Sequence, residues 1–276
     1  MSKGQRPADR SGNRVREPRD GRKRPDAAPT GTANCVYGVV PVLEALRSNN
    51  RRIEKVLVAE GVKPHRLSDL FDLARRSNVL IETVTRDRIE RLTGGDVNHQ
   101  GVIAMTSAAE YVDADLILER CADPALFVLL DGVEDPRNLG AILRTAECAG
   151  VDGVFIPERR AVGLTGSAAR SSAGAVEYIK VAKITNLNRF IEELKSRNVW
   201  VVGASGNAAM SYTDWDWTAP TALVLGAEGS GLHRLVAENC DALVKIPMYG
   251  RIDSLNVSVA AGVLLFEAQR QREQKK

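Results

Sequence analysis

Residues 223–232 read LVLGAEGSGL: three aliphatic side chains run into Gly226, and Glu228, Gly229 and Gly231 follow within five residues. Glycines at the end of an apolar run mark either a backbone that must turn tightly or a ligand that comes close to main chain. The spacing Gly226-x-x-Gly229-x-Gly231 reverses the dinucleotide fingerprint, and no Lys-Ser/Thr pair follows to make a phosphate loop. Taken alone, the stretch is either a strand-to-helix turn closed by an acidic residue or a site for some other ligand.

Working outward, residues 124–276 alternate aliphatic runs (LFVLLDGV, GVFI, VWVVGAS, TALVLGA, ALVKIPM) with amphipathic segments. These segments are NLGAILRTAECAG closed by Gly150, NLNRFIEELKSRN, LHRLVAENC and a last one through VSVAAGVLLFEAQRQRE. Continuous aliphatic strands separated by helices predict an α/β fold whose mostly parallel sheet is covered on both faces. Ligands of such sheets sit at the carboxyl ends of strands, which is where GAEGSGL falls.

Residues 34–107 predict a smaller α/β layer. VPVLEALRS, with Pro41 in its first turn, LSDLFDLARRSN and RDRIERLT read as helices; EKVLVA, NVLIETV and GVIAMT read as strands. The acidic stretch 108–123 reads as a linker that turns helical toward its end. Residues 1–33 hold nine Lys/Arg against four Asp/Glu and almost no large apolar side chains. They read as a disordered basic tail, either a solubilising extension or a weak electrostatic hold on RNA.

The chain has 276 residues, 44% of them hydrophobic, enough for two domains with real cores. Its net charge of +3 resides in the tail, so the folded part carries no basic excess that would by itself announce a nucleic-acid partner. Cys35, Cys121, Cys148 and Cys240 form no C-x-x-C pair and lie far in sequence from His65, His99 and His233. No metal site or disulfide framework is expected, in keeping with a reducing cytoplasm. No apolar run approaches a membrane span, and none follows the basic N-terminus as a secretory signal would require.

Three stretches, DPRNLGAILRTAECAGVDGV (135–154), LVLGAEGSGL (223–232) and IPMYGRIDSLNVSVAAGVLLFE (246–267), resemble in order and spacing the signature motifs of the SpoU/TrmH (SPOUT) group of RNA ribose 2'-O-methyltransferases. VYGVVPVLEAL and NHQGVIAM are similar to the substrate-binding domain of the bacterial enzyme that methylates a guanosine ribose in the peptidyl-transferase region of 23S rRNA. The resemblance implies methyl transfer from S-adenosylmethionine, a trefoil-knotted methyltransferase domain that forms a homodimer, and an N-terminal domain similar to ribosomal protein L30e. The knot rests on the resemblance alone, because chain threading is nearly excluded as a prior.

By motif match the resemblance implies Gly226, Ile246 and Leu255 as central cofactor contacts, with Leu225, Glu228, Gly229, Met248 and Asn256 beside them. The glycines would let main chain approach the adenosine with no side chain between. Asn138, Arg144, Glu228, Ser254 and Asn256 are implied as the catalytic set. A guanidinium is not expected to give up its proton, so Arg144 reads better as a phosphate clamp and oxyanion stabiliser than as a base. The proton would then leave through an RNA phosphate oxygen or a water.

Several of these residues have plainer readings. Arg144 alone would be a solvated helix arginine, Glu228 a helix cap, and SLN before an amphipathic segment an N-cap sequence. His99 and Gln100 either touch RNA or shape a turn, and the tryptophans of YTDWDWTAP either stack on bases or sit in an exposed loop folded over the sheet edge. Other readings are the same chemistry on tRNA or another rRNA site and a non-catalytic RNA-binding or assembly protein. A dinucleotide oxidoreductase is disfavoured by the glycine spacing.

Overall fold

The computed structural model describes residues 35–95, 97–159 and 161–275; the basic tail expected over 1–33 lies outside them. The described residues form one compact unit built on two sheets.

The smaller sheet contains β1 (Cys35–Tyr37), β2 (Ile53–Ala59), β3 (Leu80–Val84) and β4 (Val102–Thr106) in the order β1-β4-β2-β3. β4 runs antiparallel to both β1 and β2, while β2 and β3 are parallel. Helices α1 (Val39–Ser48), α2 (Ser68–Arg76) and α3 (Arg86–Thr93) fall where the apolar periodicity expected them. Pro41 is buried in the first turn of α1, where its missing N–H costs no hydrogen bond.

The larger sheet is wholly parallel. Its strands are β5 (Leu126–Asp131), β6 (Gly153–Pro157), β7 (Val181–Ile184), β8 (Trp200–Ala204), β9 (Met210–Ser211), β10 (Thr221–Gly226) and β11 (Ala242–Lys245). They lie in the order β7-β6-β5-β10-β8-β11-β9. β5 and β10 form the centre and, apart from Asp131 at the end of β5 and Thr221 at the start of β10, are apolar because both faces are covered. Their register sets Leu130 beside Leu225 and Asp131 beside Gly226, so the two motif loops leave the sheet from adjacent strand ends. From β5 the chain moves outward to β6 and β7, then returns across β10 to place β8, and this reversal opens a crevice at the carboxyl ends of β5 and β10.

α5 (Pro136–Cys148) begins with an Asp135 cap that accepts from Arg137 N–H at 2.8 Å and has Pro136 in its first turn. It packs on α6 (Gly166–Ser171), where a Cβ at Gly140 would strike the α6 backbone, and on the last helix, α9 (Val257–Lys275). α7 (Leu187–Ser196) and α8 (Arg234–Asn239) complete the layers. The stretch expected as a linker is packed: α4 (Ala114–Glu119) is capped by Asp113, and Ile117 and Leu118 are buried with Phe127 and Phe155. The YTDWDWTAP segment also departs from the exposed-loop expectation. Trp217 is completely buried, donates its indole N–H to the Tyr212 carbonyl at 2.8 Å, and is gripped through its own carbonyl by Arg272.

The two sheets share one core. Val36, Val42 and Val102 belong to the same buried cluster as Leu139, Val176 and Ile179. Arg51 meets Glu177 through two contacts of 2.8 and 2.9 Å, with both side chains nearly inaccessible. Among the described residues, no helix is long and apolar enough to cross a membrane.

Candidate active site

After β10 the chain doubles back on itself. Ala227 and Gly231 exchange backbone hydrogen bonds at 3.1 and 2.9 Å, so a Cβ at Gly226 would overlap the main chain of Gly231 and Leu232. Gly226 is thus demanded by the loop's own tight turn, the first of the two reasons for a glycine here. Gly229 and Gly231 have positive φ of 81° and 65°, and nothing stands within 4 Å of where their Cβ atoms would be, so their main chain lies bare.

This loop, residues 204–207 after β8 and the segment 246–255 after β11 enclose a cavity of about 440 Å³. Leu225, Ile246, Leu255 and Leu264 give it apolar walls, while Glu228, Ser205, Asn207 and Ser254 supply polar groups. Gly226, Gly229 and Met248 also line it, so all the expected cofactor contacts except Asn256 border one space. Its volume and mixed lining are those of a small-molecule site.

A second cavity of about 360 Å³ opens at the end of β5, lined by Gly132, Glu134, Asp135, Asn138 and His233 among others. Ala227, Glu228, Ser230 and Val257 line both cavities and form the wall between them.

One side chain ties that wall together. The Asn256 amide donates one hydrogen bond to Asn138 Oδ1 at 3.1 Å and a second, short one to Glu228 Oε1. Its carbonyl oxygen accepts from Ser258 N–H at 2.9 Å and caps α9. Both amide hydrogens are consumed and the cap is made, so the capping reading and the site reading of Asn256 hold at once. Ser254 takes no part in the cap and faces the larger cavity.

Arg144 is not brought to this cluster. It lies exposed on α5, lines neither cavity, and makes no hydrogen bond or ion pair among the described residues. His99 and Gln100 serve the turn: the buried His99 Nδ1 accepts from Gly101 N–H at 3.0 Å, and Gln100 Oε1 accepts from Val39 N–H at 2.9 Å. Burial holds the His99 imidazole below its usual range and favours the neutral ring that this acceptor role needs.

Sequence reasoning missed His233, which lines the smaller cavity, and Asp131, which lies behind it and bonds to it. The one signal available was a carboxylate ending a strand whose other residues are all apolar. Among the described residues, no three His, Cys, Asp or Glu side chains gather as a metal site would require.

Residues 125–266 match the SpoU rRNA methylase family, and residues 35–112 match the RNA 2'-O ribose methyltransferase substrate-binding family. A Bacillus subtilis protein, YacO, named for the TrmH family of tRNA/rRNA methyltransferases, is 43% identical over 240 residues, covering 86% of this chain and 95% of its own. Among solved structures, the SpoU methyltransferase AviRb from Streptomyces viridochromogenes with AdoMet bound superimposes with a TM-score of 0.73 at 26% identity, covering 87% of this chain and 90% of that one. An AdoMet-bound rRNA methyltransferase from Sinorhizobium meliloti gives a TM-score of 0.69 at 28% identity, covering 86% of each chain. The larger cavity fits that cofactor: bare glycine backbone and aliphatic walls suit an adenosine, and the polar edge at Glu228 and Ser254 suits its charged end.

Proposed function

The chain belongs to the SpoU family of S-adenosylmethionine-dependent RNA methyltransferases, and from that membership we propose that it methylates a ribose 2'-hydroxyl, that of a guanosine in 23S rRNA. The observation that carries this reading is the Asn138–Asn256–Glu228 cluster, which joins the three motifs at the wall between the two cavities. When bound, the cofactor supplies an electrophilic methyl group on a sulfonium whose leaving group is a neutral thioether.

The residues around it then have mainly positional tasks. Leu225, Gly226, Ile246, Met248 and Leu255 hold the adenosine side, and Gly229 and Ser254 border the same space. Asn138 and Glu228 both face the smaller cavity, where a target ribose has room to enter beside the wall. With its amide saturated, Asn256 locks these two side chains relative to each other and acts as a positioning residue. Arg144, exposed, unpaired among the described residues and outside both cavities, is free to clamp an RNA phosphate.

Apolar side chains left in the open, Tyr249, Ile252, Leu255, Val259 and Phe266, favour a homodimer that covers the segment 246–255 and the outer side of α9. The substrate-binding match over residues 35–112 supports an RNA partner, with rRNA favoured over tRNA by the family description. The knotted threading and a cytoplasmic location belong to the same reading. A second reading, the same chemistry on tRNA, is kept by the name of YacO, which spans both RNA classes.

The test is transfer of labelled methyl from S-adenosylmethionine to purified large-subunit rRNA, small-subunit rRNA and tRNA in parallel, followed by mapping of the labelled residue. Label confined to a 2'-O-ribose of large-subunit rRNA and lost with Arg144→Ala is the expected result. Label on tRNA would move the substrate, and label on a base would overturn the ribose assignment.

A further inference from the structure

His233, on the wall of the smaller cavity, is paired with a buried carboxylate behind it that the methyl-transfer reading leaves unused. Asp131 ends β5 beside Gly226 and is only 5% exposed. His233 bonds to it twice, with the backbone N–H donating to Oδ2 at 2.7 Å and the ring Nδ1 lying 2.8 Å from Oδ1. The His233 side chain is about half exposed and lines the same cavity as Asn138 and Glu228. Its ring lies over Gly132, where a Cβ would stand 3.4 Å from Cε1.

A carboxylate on Nδ1 accepts a hydrogen bond, so it selects the neutral tautomer with the proton on Nδ1 and leaves a lone pair on Nε2. Of the side chains named in this cavity, His233 is the one whose ordinary chemistry is to take a proton near neutral pH. Arg144, by contrast, has no lone pair to offer.

We propose that Nε2 of His233 accepts the proton of the ribose 2'-hydroxyl, with Asp131 as the residue that positions the ring and offsets its charge. This rests on the methyl-transfer reading. The O2'–H bond breaks with its proton passing to Nε2, the freed oxygen pair forms the bond to the methyl carbon, and the carbon–sulfur pair leaves with sulfur as a neutral thioether. The imidazolium then returns its proton to water, restoring the starting tautomer.

The charged groups facing the ring support this assignment. Glu134 and Asp135 from the loop after β5, and Glu228 from the loop after β10, line the cavity with it, so an imidazolium formed during transfer meets carboxylates there. On α8 itself Arg234 is engaged by Glu238 at 2.7 Å. Cys240, which feels the field of Asp131, is pushed up to about 12 chiefly by burial and stays a neutral thiol. A purely structural pair would also pin the start of α8, and the experiment separates the two roles.

Single-turnover methylation of total RNA from cells lacking this protein is measured from about pH 6 to about pH 9 with the full chain. Wild type is compared with His233→Gln, His233→Asn and Asp131→Asn. Asn at 233 keeps a donor for Asp131 without a basic nitrogen, which guards against a simple folding failure. Both His233 variants should slow transfer by about 10²–10⁴-fold and lose the rise of rate with pH, with melting temperature and S-adenosylmethionine affinity retained. Independently of activity, ¹⁵N NMR of the three histidines, with His233 identified by its loss in the variant, should show Nε2 unprotonated in the neutral ring. That preference should weaken in Asp131→Asn.

Wild-type methylation that His233→Gln leaves at full rate with the same pH profile would overturn the inference and leave the methyl-transfer reading standing. A proton found on Nε2 would do the same. No label from wild type on any RNA would remove the methyl-transfer reading and this inference with it.

Discussion

Asn256 Nδ2 lies 3.1 Å from Asn138 Oδ1, although 118 positions separate the two residues. The bond links the first turn of α5 to the cap of α9, and through Glu228 it reaches the loop after β10. Asn138→Ala removes the acceptor and frees the Asn256 amide, whereas Asn138→Asp keeps the acceptor and adds a charge near Glu228. Alanine should lower the methylation rate with a stability loss of about 0.5–1.5 kcal/mol, the net worth of one hydrogen bond. Aspartate should retain the melting temperature and still lose activity, through misplaced charge. Equal activity in both variants and wild type would remove Asn138 from the site.

Gly226 and Gly229 make a contrasting pair. A methyl group at 226 meets backbone atoms of Gly231 and Leu232, which cannot swing aside as a side chain would. Gly226→Ala should therefore force the loop open, cost about 1–3 kcal/mol, and abolish S-adenosylmethionine binding in calorimetry. Gly229→Ala meets no atom and pays only for its φ of 81°, about 1–2 kcal/mol. It should bind the cofactor more weakly without losing it. If the first variant binds as wild type does, the loop has room that the structure denies.

Arg51 and Glu177 fasten the smaller sheet to the larger one, and they do so where solvent barely reaches. Burial pushes the Glu177 carboxyl up, and Arg51 works against that by favouring its charged form. Removing one partner strands the other, so Arg51→Met should cost about 3–5 kcal/mol in urea unfolding. Arg51→Met combined with Glu177→Met removes both charges and should recover much of the loss. A double variant no more stable than the single one would mean that the pair's geometry matters beyond its charge balance.

Much of this architecture is legible because double-sided burial writes an unambiguous pattern. β5, β8 and β10 are runs of aliphatics that fit no amphipathic helix, and Gly150, with φ of 63°, closes α5 as its position suggests. β1, with three residues, and β9, with two, carry too few side chains to show a period. β7, with four residues, is too short to stand out, and α6 lies in a run of small residues with no apolar stripe. Motif matching singled out Asn138, Glu228 and Asn256, but their mutual bonding depends on three loops meeting at one end of the sheet, which no local pattern encodes. The pairing of Asp131 with His233 is hidden for the same reason, its members being 102 positions apart, and only the acidic end of β5 hints at it.

The C-terminal helix carries the acid sensitivity that can be tested most directly. Glu267 accepts from Arg270 Nε at 2.8 Å and Nη2 at 2.7 Å, and from the Gln271 amide at 2.8 Å. Gln271 in turn accepts from Trp217 N–H at 3.1 Å, so this carboxylate underpins the packing of the buried tryptophan. The hydrogen bonds from Arg270 are the largest of the influences that hold the Glu267 carboxyl below the usual range, against a smaller opposing push from burial. A carboxyl lowered in the folded state is ionised there more readily than in the unfolded chain. Its contribution is therefore complete above the ordinary carboxylate range and disappears as pH falls through the lowered folded value. Wild type should melt above Glu267→Gln at neutral pH, and the gap should close on acidification to about pH 3. Because Arg270 is half exposed, added salt should narrow the gap at neutral pH as well. A gap that is the same at both pH values would show that Glu267 acts through shape and neutral hydrogen bonding, with its charge contributing nothing.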